Sequence, residues 1–184
     1  MEDLIEVRWH GRGGQGAWTT SQLLAKAAMS EGKHAQSFPE FGPERMGAPI
    51  QSFTRISDDP IDLHCNVDSP DVVAVLDPTL LETVDVAEGL RPEGVVLINS
   101  RDPPAKIKET YHIAQSVYTV GATDIAMDIL KRDVTSTAIL GALMRVSPLV
   151  SLKSVIRVTK ERFHGKAGEL NEKVIRSAYG GVVS

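Results

Sequence analysis

A chain of 184 residues, 42% hydrophobic and 24% charged, has the balance of a globular domain and the length to bury a core without covalent staples. Its formal net charge of −4 argues against a protein built to coat nucleic acid, which needs concentrated Lys and Arg. A single cysteine, Cys65, excludes an internal disulfide and an iron–sulfur cluster ligated by this chain alone. Residues 4–9 read as a first strand with Ile5, Val7 and Trp9 on one face. Residues 17–31 read as a helix whose apolar stripe is Leu23, Leu24, Ala27 and Ala28. Short strands are expected at 34–38 and 49–56, and again at 111–118. The runs 71–76 and 94–99 are continuously apolar and bounded by Pro, Gly and Asp, the pattern of strands buried on both faces. Helical spacing then dominates at 124–131, 136–145, 152–163 and 167–178, with Gly121, Gly165 and Gly180 as punctuation. Strands alternating with helices predict an α/β layered domain, the late helices covering the sheet.

Between the first strand and helix lies His10-Gly11-Arg12-Gly13-Gly14-Gln15-Gly16. Glycines let the backbone approach a ligand closely, and the following helix presents free N–H groups at its positive end, so the turn suits an anion. Gly11, Gly13 and Gly16 also satisfy a dinucleotide-binding spacing, but its acidic partner should end the next strand. Glu40 stands at about that place, inside a Pro- and Gly-rich stretch. A free-standing NAD(P)-binding oxidoreductase is therefore one reading, and a tight turn touching no ligand is another. The second landmark, residues 37–49, carries three prolines that resist helix and central strand. It reads either as a rigid loop packed on its own domain or as a docking loop exposing Phe38, Phe41 and Met46 beside the Glu44-Arg45 pair.

Together these landmarks resemble the gamma subunits of the 2-oxoacid:ferredoxin oxidoreductases, most of all the pyruvate type. The resemblance rests on 10–16, on FPEFGPERMGAPIQSFTR at 38–55, on DVVAVLD at 71–77, on GVVLINS at 94–100 and on Leu140-Gly141-Ala142-Leu143. Met46 departs from the second arginine of many relatives, and Thr137 stands where asparagine is common. The resemblance implies one domain over 1–184, a three-layer α/β/α sandwich with a mainly parallel or mixed sheet. It implies a subunit of a complex that turns a 2-oxoacid, coenzyme A and oxidised ferredoxin into acyl-CoA, carbon dioxide and reduced ferredoxin. Thiamine diphosphate with Mg would belong to alpha and beta partner chains, and iron–sulfur clusters to beta and delta-type chains. For this chain it leaves assembly and a coenzyme A phosphate contact by Arg12, Gly13, Gly14, Gln15 and Gly16. Phe38, Phe41, Glu44, Arg45 and Met46 would meet partner subunits. No catalytic residue and no metal ligand is assigned here. A purely structural scaffold is the remaining alternative.

Other chemistry is thin. His64 and Cys65 are adjacent and on a strand would point to opposite faces, and Cys65 reads as a small core residue. His10 is either an anion contact or a structural histidine. His112 and His164 are far from each other and from any carboxylate cluster, which argues against a metal site. Asp77 precedes Pro78-Thr79 and reads as a helix cap, while Asn99-Ser100 follows a strand, where α/β proteins bind ligands. Met1-Glu2-Asp3 begins no apolar signal core, and no apolar run is long enough to span a membrane, so a cytoplasmic place is expected.

Overall fold

Six strands form one mixed sheet in the computed structural model, which describes residues 4–40 and 46–184. They are β1 (Ile5–Arg12), β2 (His34–Pro39), β3 (Pro49–Ser57), β4 (Val72–Val75), β5 (Val95–Asn99) and β6 (Ser116–Val120). The order across the sheet is β2-β3-β1-β4-β5-β6. β1, β4, β5 and β6 run parallel, while β3 pairs antiparallel with both β1 and β2. β4 is buried along its whole length, in keeping with its unbroken apolar run.

The helices are α1 (Ala17–Met29), α2 (Pro104–Thr110), α3 (Ala122–Leu130), α4 (Ser136–Val146), α5 (Leu152–Arg162) and α6 (Lys166–Gly180). Two apolar clusters divide the core between the faces of the sheet. Val7, Trp9, Ala74 and Leu97 meet α1 and α3 to α6 on one face. Val73, Val75, Val96 and Ile98 meet Ile107 of α2 with Val86, Leu90 and Ile113 on the other. The result is the expected α/β layering, thick on one side and thin on the other. α4 is buried from Ser136 through Met144, because it lies between the sheet and α6. Gly141 makes that contact possible: a Cβ there would stand 2.4 Å from the Ile175 carbonyl oxygen. The polar link across this seam comes from Thr137, whose hydroxyl donates to Asn171 Oδ1 at 2.7 Å.

Some segments depart from the sequence reading. The strand expected at 111–118 begins at Ser116, because the preceding residues close α2: the Tyr111 amide bonds Ile107 O, and His112 has φ 54°. α2 itself was hidden by Pro103-Pro104, yet Pro104 sits in the first turn, where a missing amide costs nothing. A 3-10 turn, Pro78–Glu82, also follows β4, and Asp77 caps it as expected. Cys65 is not a core residue; it is exposed, in the chain that returns from β3 to β4. Val67, two residues on, is the buried one. No helix among the described residues is long and apolar enough to cross a membrane.

Candidate functional site

Four parallel strands deliver their carboxyl ends to one edge, where loops can gather around a ligand. β1 opens into the glycine loop, β4 into Asp77-Pro78-Thr79, β5 into Asn99-Ser100 and β6 into Gly121. Gly16 is the N-cap of α1 with φ 84°, and a Cβ there would lie 3.2 Å from the Ser136 Cβ. Only glycine meets both demands without strain. Gly14, at φ 95°, faces open space. The Gly13 amide is used by Ala48 O at 2.9 Å and the Gln15 amide by Arg12 O at 3.0 Å. The Gly14 and Gly16 amides have no partner among the described residues, and the first turn of α1 adds its own free N–H groups.

Arg12 does not point a free guanidinium at this edge. Its Nε lies 3.2 Å from Asp77 Oδ2, its Nη2 donates to Thr79 Oγ1 at 2.8 Å, and its Nη1 donates to Gly47 O at 3.2 Å. Gln15 is occupied as well: its Oε1 accepts from the Arg12 amide and its Nε2 donates to Asp77 Oδ2, both at 2.8 Å. Burial pushes the Asp77 pKa up, but the hydrogen bonds from Thr79 and Gln15, then the Arg12 charge, outweigh it and hold the carboxyl below its ordinary value.

Beside the loop runs a groove of about 440 Å³ lined by Gly14, Gly16, Trp18, Thr19, Met46 and Ile50, among others. Trp18 is 46% exposed and Met46 95% exposed. Neither sits where apolar burial alone would leave it. Phe38, expected at an interface, is half-buried against the Phe53 ring, centroids 5.3 Å apart, and under the Arg55 guanidinium. Phe41, Glu44 and Arg45 lie outside the described residues.

The opposite face of the β1–β3–β2 part of the sheet sets charged residues beside the Phe38–Phe53 pair. Glu6, Arg8 and His10 alternate there, and Arg55 stands across from Glu6. Arg55 is 1% exposed, bonds Glu6 Oε1 at 2.8 Å and holds the returning loop through Asn66 O at 3.1 Å. Arg8 holds Val86 O at 3.0 Å. Among the described residues no helix covers these strands on that side, and the arginines bind loop carbonyls there. His10 is 2% exposed, and its Nε2 has no partner among the described residues. Burial, with the Arg8 charge behind it, pushes its pKa down to about 3. It is a neutral interior histidine out of reach of a ligand. His64 and Cys65 are both exposed, and Cys65 Sγ lies 3.6 Å from Arg55 Nη2.

Asn99 is spent on structure: its Nδ2 donates to Leu76 O and Thr123 Oγ1, and its Oδ1 accepts from the Thr123 amide. Glu40 follows directly on β2, but β3 lies between β2 and β1. The acid is therefore not on the strand next to the glycine loop, and the dinucleotide reading loses its ribose contact. Sequence reasoning passed over Trp18, Thr79 and the reach of Asp77. Trp18 was detectable, since it shares a stripe of α1 with exposed Gln22, Lys26 and Met29. Thr79 and the Asp77–Arg12 contact carried no local signal, because the pair is separated by more than sixty residues.

The family model described as pyruvate ferredoxin/flavodoxin oxidoreductase matches residues 6–181. Pyruvate synthase subunit PorC of Methanocaldococcus jannaschii is 47% identical, with 96% of each chain covered. The common gamma subunit of the pyruvate/ketoisovalerate oxidoreductases of Pyrococcus furiosus is 46% identical at the same coverage. The crystal structure of pyruvate oxidoreductase subunit PORC from Thermotoga maritima superposes with a TM-score of 0.89 at 38% identity, over 98% of this chain and 97% of that one. The 2-oxoglutarate:ferredoxin oxidoreductase of Magnetococcus marinus, solved with 2-oxoglutarate, coenzyme A and succinyl-CoA, shares the fold. There the TM-score is 0.80 at 18% identity, over 98% of this chain and 31% of that one.

Proposed function

The chain belongs to the pyruvate ferredoxin/flavodoxin oxidoreductase family, and from that premise we propose that it is the gamma-type subunit that positions coenzyme A in such a complex. The enzyme as a whole oxidises a 2-oxoacid with ferredoxin as acceptor, and pyruvate is the substrate of this reading. Alpha, beta and delta-type chains are its partners, with thiamine diphosphate, Mg and the iron–sulfur clusters on them. Those groups supply the carbon–carbon and electron chemistry. A cytoplasmic place belongs to the same reading.

The observation that carries the coenzyme A contact is the groove at the start of α1. The amides of Gly14 and Gly16, without a partner among the described residues, and the positive end of α1 suit a phosphate, and Trp18 offers an exposed ring beside them for a purine. Holding coenzyme A there fixes its nucleotide end and turns thiol encounter into an oriented approach. Arg12, Gly13 and Gln15 act behind the contact, since their polar groups are engaged within the chain. Met46, Phe38 and the segment carrying Phe41, Glu44 and Arg45 belong to the docking side of this reading.

Isothermal titration of coenzyme A into the assembled complex tests it. Trp18→Ala removes a base-stacking ring, which costs about 1–3 kcal/mol and so weakens binding about 5- to 150-fold. Gly14→Val places a side chain in the groove and strains a backbone at φ 95°. Unchanged affinity in both variants removes the groove from coenzyme A binding and leaves a scaffold.

A further inference from the structure

We infer that Arg12 and Asp77 are positioning residues: their ion pair, closed through Gln15 and Thr79, holds the glycine loop in its ligand-ready shape, and Arg12 does not touch the ligand. The inference rests on the coenzyme A reading of the groove. The contacts form a ring. The Arg12 amide donates to Gln15 Oε1, and Gln15 Nε2 donates to Asp77 Oδ2. Asp77 Oδ1 accepts from the Thr79 hydroxyl at 2.7 Å and its amide at 3.0 Å, and the Thr79 oxygen accepts from Arg12 Nη2. Both ends of the 12–15 turn are thereby tied to the exit of β4.

A second set of bonds ties the same turn to the chain entering β3. Gly13 donates to Ala48 O at 2.9 Å, Gly47 donates to Gly13 O at 3.1 Å, and Arg12 Nη1 reaches Gly47 O. The turn needs this support, because glycines at positive φ lose more backbone freedom on ordering than any other residue. Arg12 serves because a planar guanidinium can grip a carboxylate, a hydroxyl and a carbonyl together, which an ammonium cannot. Its charge is compensated by a carboxylate whose side chain is only 13% exposed, so little of it is left for a phosphate.

Kinetics of the assembled complex with Arg12→Gln, Asp77→Asn, the double variant and Thr79→Val separate the two roles of Arg12. A clamp predicts that each single variant raises KM for coenzyme A about tenfold with kcat within about twofold, the pattern of lost ground-state binding. The double variant is then no worse than the weaker single, since one ring is broken once. If Arg12 is instead a direct phosphate ligand, Asp77→Asn frees its charge and lowers KM while Arg12→Gln raises it. Opposite signs, additive effects, or unchanged KM in all four overturn the clamp. Gly14→Val, run alongside, tells this failure from failure of the groove itself: a raised KM there with silent clamp variants keeps the groove and discards the clamp. Thr79→Val alters one hydroxyl near the surface and keeps the test open if a charge variant assembles poorly.

Discussion

Replacing His10 with glutamine should remove a large part of this chain's sensitivity to acid. His10 is buried beside Arg8, and its pKa falls from 6.5 to about 3 in the folded state. The unfolded chain therefore takes up a proton below pH 6.5 that the folded chain refuses until about pH 3. The stabilising contribution is whole above pH 6.5 and is lost progressively as pH falls toward 3. Well inside that window each unit of pH costs about 1.4 kcal/mol, and from pH 6.5, where half the unfolded chains are already protonated, to 4.5 the loss is about 2 kcal/mol. Urea unfolding of the wild-type chain and of His10→Gln over this range reads the effect directly. Glu31, Asp77, Asp124 and Glu172, all held below their ordinary values, lose stability in acid in both proteins and cancel in the comparison. The wild-type curve should fall more steeply by the stated amount. Parallel curves would refute the picture of a neutral, buried histidine.

Gly141→Ala should lower the melting temperature although alanine is the better helix former. Propensity favours the change by about 1 kcal/mol, but a Cβ 2.4 Å from the Ile175 oxygen forces α4 and α6 apart. Overpacking of this kind costs about 1–3 kcal/mol, and a raised melting temperature would show that the helices have room. Glu6→Ala strands the buried Arg55 charge and should cost about 3–5 kcal/mol. The pair Glu6→Ala with Arg55→Met should recover most of it in chemical denaturation, and a double variant as unstable as the single would contradict the ion-pair account. Thr137→Val leaves Asn171 Oδ1 without its donor inside the α4–α6 seam. Thermal unfolding should show a loss of about 1–3 kcal/mol, the cost of an unsatisfied buried polar group.

Local pattern was enough for the elements whose chemistry is continuous in the chain. The apolar runs at β4 and β5, the alternation of β1 and the stripe of α1 are written in neighbouring residues, and they place the glycine loop at a strand end facing a helix N-terminus. The family could likewise be read there, because the FGPER segment and its flanks are contiguous. What the fold alone decided are the contacts between distant segments. Periodicity says nothing of strand order, so it could not show that β3 inserts between β1 and β2 and carries Glu40 away from the glycine loop. Arg8 and Arg55 are buried under loops on a side of three strands where, among the described residues, no helix packs, and a strand pattern cannot report which layer covers it. The same limit governs Arg12. Beside glycines its charge suggests a phosphate contact, but Asp77, brought alongside by the pairing of β1 with β4, claims that charge first. A charged group's role depends on which opposite charge lies within a few ångströms, and only tertiary structure sets that distance.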